Sequence, residues 1–244
     1  DSTVNNDYYP YMDYYDRIRD NWSYAQGSVS SDVVYWTWKQ AAGYLDIVCY
    51  DGTGSARTQS HNLAVAPEMI WVKPRTATNP WQVYHSGTGN TKALNLNDNG
   101  TGYTSVNYWN NTSPTDSVFS LGSSTGMNGS GERYVAYLFA TAEGVSKVGS
   151  YTGNGSTQNI DCGFSNGAKF VLIKRTDASE DWHVFDSTRG INAGNDPALR
   201  LSDTTAEFNS AAINPLSSGF QVEQSASCNN NVNGGSYIFY AVAE

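Results

Sequence analysis

A series of short windows along this chain reads with the two-residue period of strands, successive side chains facing opposite ways. Met69, Trp71 and Lys73 face one way while Ile70 and Val72 face the other; Trp81, Val83 and His85 oppose Gln82 and Tyr84; Trp182, Val184 and Asp186 oppose His183 and Phe185. β-Branched and aromatic side chains dominate these windows, as a pleated, half-buried surface requires. Between them stand Gly52-Thr53-Gly54, Asn97-Asp98-Asn99-Gly100, Asn128-Gly129-Ser130-Gly131 and Asn233-Gly234-Gly235, which is turn chemistry. The pattern predicts strands over 45–50, 55–61, 69–73, 81–85, 93–96, 106–109, 118–121 and 133–140, a spacing typical of an all-β sandwich. Helical character is confined to one window, residues 14–22, where Asp16, Arg17, Arg19 and Asp20 surround Ile18.

The strand pattern occurs twice. Tyr50-Asp51-Gly52-Thr53-Gly54-Ser55 returns as Tyr151-Thr152-Gly153-Asn154-Gly155-Ser156, and Lys73 and Trp81 return 101 residues on as Lys174 and Trp182. Ala93-Leu94-Asn95-Leu96 matches Ala198-Leu199-Arg200-Leu201, and Tyr134-Val135-Ala136-Tyr137 matches Tyr237-Ile238-Phe239-Tyr240. Offsets drift only in Gly/Asn/Thr-rich stretches, where loops accept insertions. The chain therefore divides into an N-terminal arm with a first strand (1–40), one β-sandwich repeat (41–144) and a second (145–244). A third copy of the closing pattern is expected at Val33–Lys39, and with Asp1 in place of an initiating Met the chain reads as a slice of a longer array. The cluster Tyr8-Tyr9-Pro10-Tyr11 with Tyr14-Tyr15 reads as an arm packed on something.

Composition narrows the partners. Charged residues make up 15% while Gly (23) and Tyr (17) are abundant, so the surface bonds through hydroxyls and amides and suits contact with sugars. A net charge of -9 argues against nucleic acid or an anionic membrane as partner. No run of eighteen apolar residues is present to insert into a bilayer. Cys49, Cys162 and Cys228 sit at non-matching places in the two repeats, which speaks against a disulfide framework and for small buried hydrophobes.

Read in order, the Gly-x-Gly turn, His61-Asn62-Leu63, Ala66-Pro67-Glu68-Met69-Ile70-Trp71-Val72-Lys73, Trp-x-Val-aromatic, Phe119-Ser120-Leu121-Gly122 and Tyr134-Val135-Ala136-Tyr137 resemble a recurrent domain of bacteriophage tail-fibre proteins. The second copy, with Phe185-Asp186-Ser187-Thr188-Arg189-Gly190, is the closer of the two; the first has His85-Ser86-Gly87-Thr88-Gly89 at that place. The resemblance covers 33–244 and implies tandem concanavalin A-like jelly-roll units. It also implies a virion, extracellular setting on the tail fibre, with other tail proteins and copies of the same chain, as a trimer, for company.

The residue chemistry points to binding without catalysis. Repetition of Trp81 and Trp182 marks them as core, and Asp186 with Arg189 reads as the fastening of the Gly190 turn, contact with a sugar hydroxyl being the alternative. Tyr103, Tyr108 and Trp109, followed by Asn110 and Asn111, lie in a polar segment whose aromatic counterpart is Phe208 alone. Rings on a polar loop can stack on a pyranose while amides take its hydroxyls, although Trp109 tucked under its own loop fits the sequence equally well. Asn192 to Asp196 is a second loop that differs between the copies, and Asn192 and Asp196 join the candidate ligand contacts. His61, His85 and His183 form no recognisable triad, and Glu180-Asp181, as neighbours in an extended segment, point apart and cannot make the facing carboxylates of a glycosidase. Asn95 to Gly100 lacks the ligand series of a calcium loop, so no metal or cofactor is expected. The leading expectation is a receptor-recognition module for a host-surface glycan. A polysaccharide depolymerase on the same fold and a purely architectural virion protein remain the rival classes.

Overall fold

This computed structural model describes residues 36–244. The Tyr cluster, the helical window at 14–22 and residues 33–35 of the expected first strand lie outside the described residues, and residues 36–40 carry no strand. The chain divides into residues 1–39 and a body of Gln40–Glu244, and every described strand lies in that body.

In chain order the first half contains β1 (Leu45–Asp51), β2 (Arg57–Ser60), β3 (Met69–Pro74), β4 (Gln82–His85), β5 (Lys92–Asn95), β6 (Tyr103–Thr104), β7 (Val118–Leu121), one turn of helix α1 (Thr125–Asn128) and β8 (Arg133–Phe139). The second contains β9 (Ser146–Thr152), β10 (Gln158–Asp161), β11 (Ala168–Arg175), β12 (Trp182–Asp186), β13 (Asp196–Arg200), β14 (Phe208–Ser210), β15 (Ile213–Leu216), β16 (Gly219–Val222) and β17 (Ser236–Ala243). The described chain is thus nearly all β, and every strand pairing in it is antiparallel. One large sheet runs β1-β8-β3-β4-β5-β6, and the other, read from its β9 edge, runs β9-β17-β11-β12-β13-β14. A two-stranded ribbon β2-β7 accompanies the first and a three-stranded sheet β10-β16-β15 the second. Two expectations need correction here. Residues 106–109 form a turn and not a strand, the strand having moved to Tyr103–Thr104, and β15 has no strand opposite it in the first half.

Each half has its own core. Ile70, Val72, Tyr84, Ala136 and Leu138 of the first large sheet close on Phe119 and Leu121 of the ribbon, while Val171, Ile173, Phe185 and Phe239 close on Ile160, Ile213 and Phe220. The other faces of the large sheets are buried too. Trp71 meets Phe139 at 4.7 Å, Phe139 meets Tyr240 at 5.0 Å, and Tyr240 meets Phe170 at 6.3 Å, a row of rings joining the two sheets face to face. Burial on both faces is why β3 and β11 read as unbroken apolar runs. Trp81 and Trp182 are buried, and the Trp182 indole N–H donates to Asn95 O across the seam at 2.8 Å.

The same fastening recurs in both halves. Tyr50 stacks on Tyr134 at 5.3 Å and its hydroxyl donates to Met127 O at 2.7 Å; Tyr151 stacks on Tyr237 at 4.8 Å and donates to Asn230 O at 2.6 Å. The Asn128 amide reaches Ser55 O while its oxygen accepts from Thr53 N, and the Asn231 amide reaches Ser156 O while its oxygen accepts from Asn154 N. A Cβ on Gly52 would stand 2.1 Å from Gly129 O, and one on Gly153 2.3 Å from Val232 O, so this close approach admits only glycine at both turns. Lys73 donates to Asn79 O and Lys174 to Glu180 O, each at 2.6 Å. Lys174 is fully buried and also reaches Asn99 O at 3.1 Å, and burial pushes its ammonium down to about 8. Cys162 and Cys228 are buried, whereas Cys49 is exposed on β1 and so departs from the expected burial.

His85 ties the seam by a particular tautomer. Its Nδ1 accepts from Gly87 N at 3.0 Å, which leaves Nε2–H to donate to Phe239 O at 3.2 Å. Burial pushes the imidazole from 6.5 down to about 4. Between those values the unfolded chain takes up a proton that the folded chain refuses, so the contribution is complete above pH 6.5 and is lost as pH falls to about 4. The loss is on the order of 3 kcal/mol. Urea unfolding across pH 7 to 4 is expected to show this fall, with a shallower slope in His85→Gln; an unchanged slope in that variant contradicts the assignment.

Candidate ligand-binding site

A hollow of about 230 Å³ opens at one end of the first large sheet, lined by Asn79, Pro80, Gln82, Tyr103, Tyr108, Ser124, Thr125 and Gly126. Local sequence explains each wall. Asn79-Pro80 brings the chain extended into β4, where Gln82 is buried. Tyr103 sits on the short edge strand β6, and the following turn carries Tyr108. Ser124 caps α1 by accepting from Gly126 N at 3.2 Å.

The Tyr103 hydroxyl lies 2.5 Å from Gln82 Oε1 and 2.9 Å from Asn95 Oδ1, and its one hydrogen serves either. Burial, reinforced by the neighbouring Tyr108 hydroxyl, holds this phenol well above its ordinary range, so it stays a donor. The two tyrosine rings meet at 4.8 Å, tilted by 56°. Both remain partly exposed. The hollow therefore offers aromatic surface, two amides and two aliphatic hydroxyl side chains, with no carboxylate, imidazole or ammonium among its lining residues.

The structure separates the expected contacts. Tyr103 and Tyr108 come together in the hollow. Trp109 does not join them: it is 2% exposed, packs edge-on against Tyr84 at 5.6 Å and belongs to the first core. Asn110 and Asn111, at φ 51° and 48°, take the left-handed conformation asparagine tolerates, in the turn that follows the two rings. Neither asparagine lines the hollow.

Asp196 is likewise corrected from ligand contact to fastening. It is fully buried, and its oxygens accept from Asn192 N at 2.8 Å, Ile213 N at 3.2 Å and Ala212 N at 3.3 Å. Burial raises its carboxyl above the ordinary value, and those three N–H groups oppose the rise. Asn192 is exposed beside it and lines no part of the hollow. Asp186 and Arg189 form the turn fastening, with Arg189 Nε 2.7 Å from Asp186 Oδ2 and a second contact from Arg189 to Glu207 at 2.9 Å.

Sequence reasoning missed Gln82 and the Ser124–Gly126 wall, which come from segments far from the tyrosines. It also missed that the corresponding place in the second half is chemically different. Asn79-Pro80-Trp81-Gln82 aligns with Glu180-Asp181-Trp182-His183, and Tyr103 of β6 with Phe208 of β14. There Phe208 meets His183 at 6.2 Å and lies under Arg200 at 4.7 Å. A wider hollow of about 440 Å³ at the seam is lined by Gly87, Ser150, Thr152, Thr176 and Ser236 among others. Its two tyrosines, Tyr151 and Tyr237, are committed to their mutual stack, so it lacks a free ring face.

The chain belongs to the family described as Domain of unknown function (DUF7483), whose model matches residues 1–244. No curated protein and no solved structure matches it.

Trp109 and Tyr108 are expected to part company on mutation. Trp109→Ala empties a core site and is expected to cost about 3–5 kcal/mol, whereas Tyr108→Ala removes a partly exposed ring and is expected to cost about 1 kcal/mol. Chemical denaturation of the two variants checks this; equal losses would place both rings in one environment.

Proposed function

We propose that this chain is a non-catalytic receptor-recognition module of a bacteriophage tail fibre, with the Tyr103–Tyr108 hollow as its glycan site. The observation that carries the reading is the lining itself: two partly exposed phenol rings beside Gln82, Asn79, Ser124 and Thr125. Apolar faces of a pyranose stack on such rings while amide and hydroxyl groups exchange hydrogen bonds with its hydroxyls. The lining residues include no paired carboxylates, which favours holding a sugar over cutting it. The tail-fibre setting comes from the sequence resemblance. On the same basis the two halves, 41–144 and 145–244, are tandem concanavalin A-like jelly-roll units, an arrangement supported by their identical large-sheet strand orders. A virion location, company with other tail proteins and assembly as a trimer belong to the same reading.

A glycan array probed with the purified chain, run beside a reducing-end release assay on host polysaccharide, tests the proposal. Wild type is expected to bind a surface glycan and release nothing, with Tyr108→Ala losing at least tenfold in affinity and Tyr103→Phe losing less. New reducing ends would move the reading to a depolymerase. No retained glycan and normal host adsorption by Tyr108→Ala would leave an architectural protein.

A further inference from the structure

The second half rebuilds the position of the tyrosine hollow with ionisable side chains. Glu180, Asp181 and His183 stand where the first half has Asn79, Pro80 and Gln82, and one ligand atom from each lies within 4.8 Å of the others, so the two neighbouring carboxylates, which precede β12 and lie outside any strand, do not, contrary to expectation, point apart. The scaffold does not ask for this change. Trp81 and Trp182 occupy equivalent buried places, and Lys73 and Lys174 make the same 2.6 Å bond to the carbonyl six residues on, whether that residue is Asn79 or Glu180.

His183 is the second, independent observation. It is 1% exposed, yet neither Nδ1 nor Nε2 has a hydrogen-bond partner. Buried imidazoles ordinarily use both nitrogens, as His85 does with Gly87 N and Phe239 O. A neutral imidazole offers a lone pair on one ring nitrogen. The carboxylates around it are already oriented. Ser202 Oγ donates to Asp181 Oδ1 at 2.8 Å, and Asn229 Nδ2 donates to Glu180 Oε2 at 2.7 Å. Such outer contacts are what fixes metal ligands in place. Arg200 Nε stands 3.2 Å from Asp181 Oδ2 but is shared with Asp203, whose carboxylate lies 3.5 Å from Arg200 Nη1; Glu180 Oε1 accepts from Asp181 N at 3.3 Å, and the imidazole is left unclaimed.

We propose that Glu180, Asp181 and His183 form a binding site for a divalent transition-metal ion of the zinc or manganese class. One imidazole and two carboxylates are the mixed nitrogen and oxygen donors such ions accept. Ligand atoms around a tetrahedral zinc ion stand about 3.4 Å apart at ordinary bond lengths, so the cluster contracts by up to about 1.4 Å on binding, a movement open to the partly exposed side chains of Glu180 and Asp181. The proposal is independent of the glycan reading, since it uses none of the residues that line the tyrosine hollow.

The test uses the whole chain, stripped with EDTA and titrated with zinc chloride or manganese chloride by calorimetry, with bound metal counted by elemental analysis. One ion per chain is expected, with a dissociation constant in the micromolar range or tighter and a rise in melting temperature of about 5 °C at a hundredfold excess over that constant. His183→Gln, which installs the first half's residue, is expected to weaken binding at least tenfold. Glu180→Gln alters a partly exposed side chain and carries the test if the histidine variant fails to fold. Cobalt substitution gives a second readout, since loss of the His183 nitrogen would shift its visible absorption bands. Failure of folded wild type to bind either ion below millimolar concentration, or binding unaltered by both variants, overturns the site.

Discussion

Trp71, Phe139, Tyr240 and Phe170 form a continuous row of rings between the two six-stranded sheets, and burying that row obliges both sheets to be apolar on both faces. Each large sheet then faces a core of its own on the far side, so four layers share one line of contact. The polar groups that fasten the seam are satisfied there, whereas the Trp71 indole N–H has no partner among the described residues. His85 is satisfied through Gly87 and Phe239, Trp182 through Asn95 O, and Lys174 through two backbone carbonyls. The seam is held by apolar burial and by bonds whose loss would strand a buried donor or acceptor, which is the costlier kind of loss.

A scaffold this heavily used leaves little freedom for ligand chemistry. The stacked tyrosine pairs, the bridging Asn128 and Asn231, and the glycines at 52 and 153 are claimed by the same structural task in each half. Difference concentrates at one end of each large sheet, where β4 or β12 begins and β6 or β14 pairs at the edge. One copy presents phenols, two amides and hydroxyls there, and the other presents two carboxylates, an imidazole and a guanidinium. A shared backbone thus supports two unlike chemistries at the corresponding place.

The strand content was legible because period-2 patterning and Gly/Asn turns are local signals. The 101-residue offset between Lys73 and Lys174 also pointed to matching places on the two large sheets. What patterning could not convey was depth. Trp109 and Tyr108 are adjacent aromatic residues in one polar stretch, yet one ring enters the core and the other stays partly exposed. Asp196 looked like a loop carboxylate because the three backbone N–H groups that enclose it come partly from Ala212 and Ile213, sixteen and seventeen residues away. The hollow itself joins residues 79–82, 103–108 and 124–126, a juxtaposition made by sheet order, to which a local reading has no access.

The central claim is that the first half binds sugar at its tyrosine hollow. Aromatic NMR of the intact chain, with resonances assigned and host-surface polysaccharide added stepwise, tests it most directly. Shifts at Tyr103 and Tyr108 that saturate together are predicted, while the stacked pair Tyr151 and Tyr237 stays unchanged. Shifts confined to the seam around Thr152 and Thr176, or none at saturating polysaccharide, would contradict it.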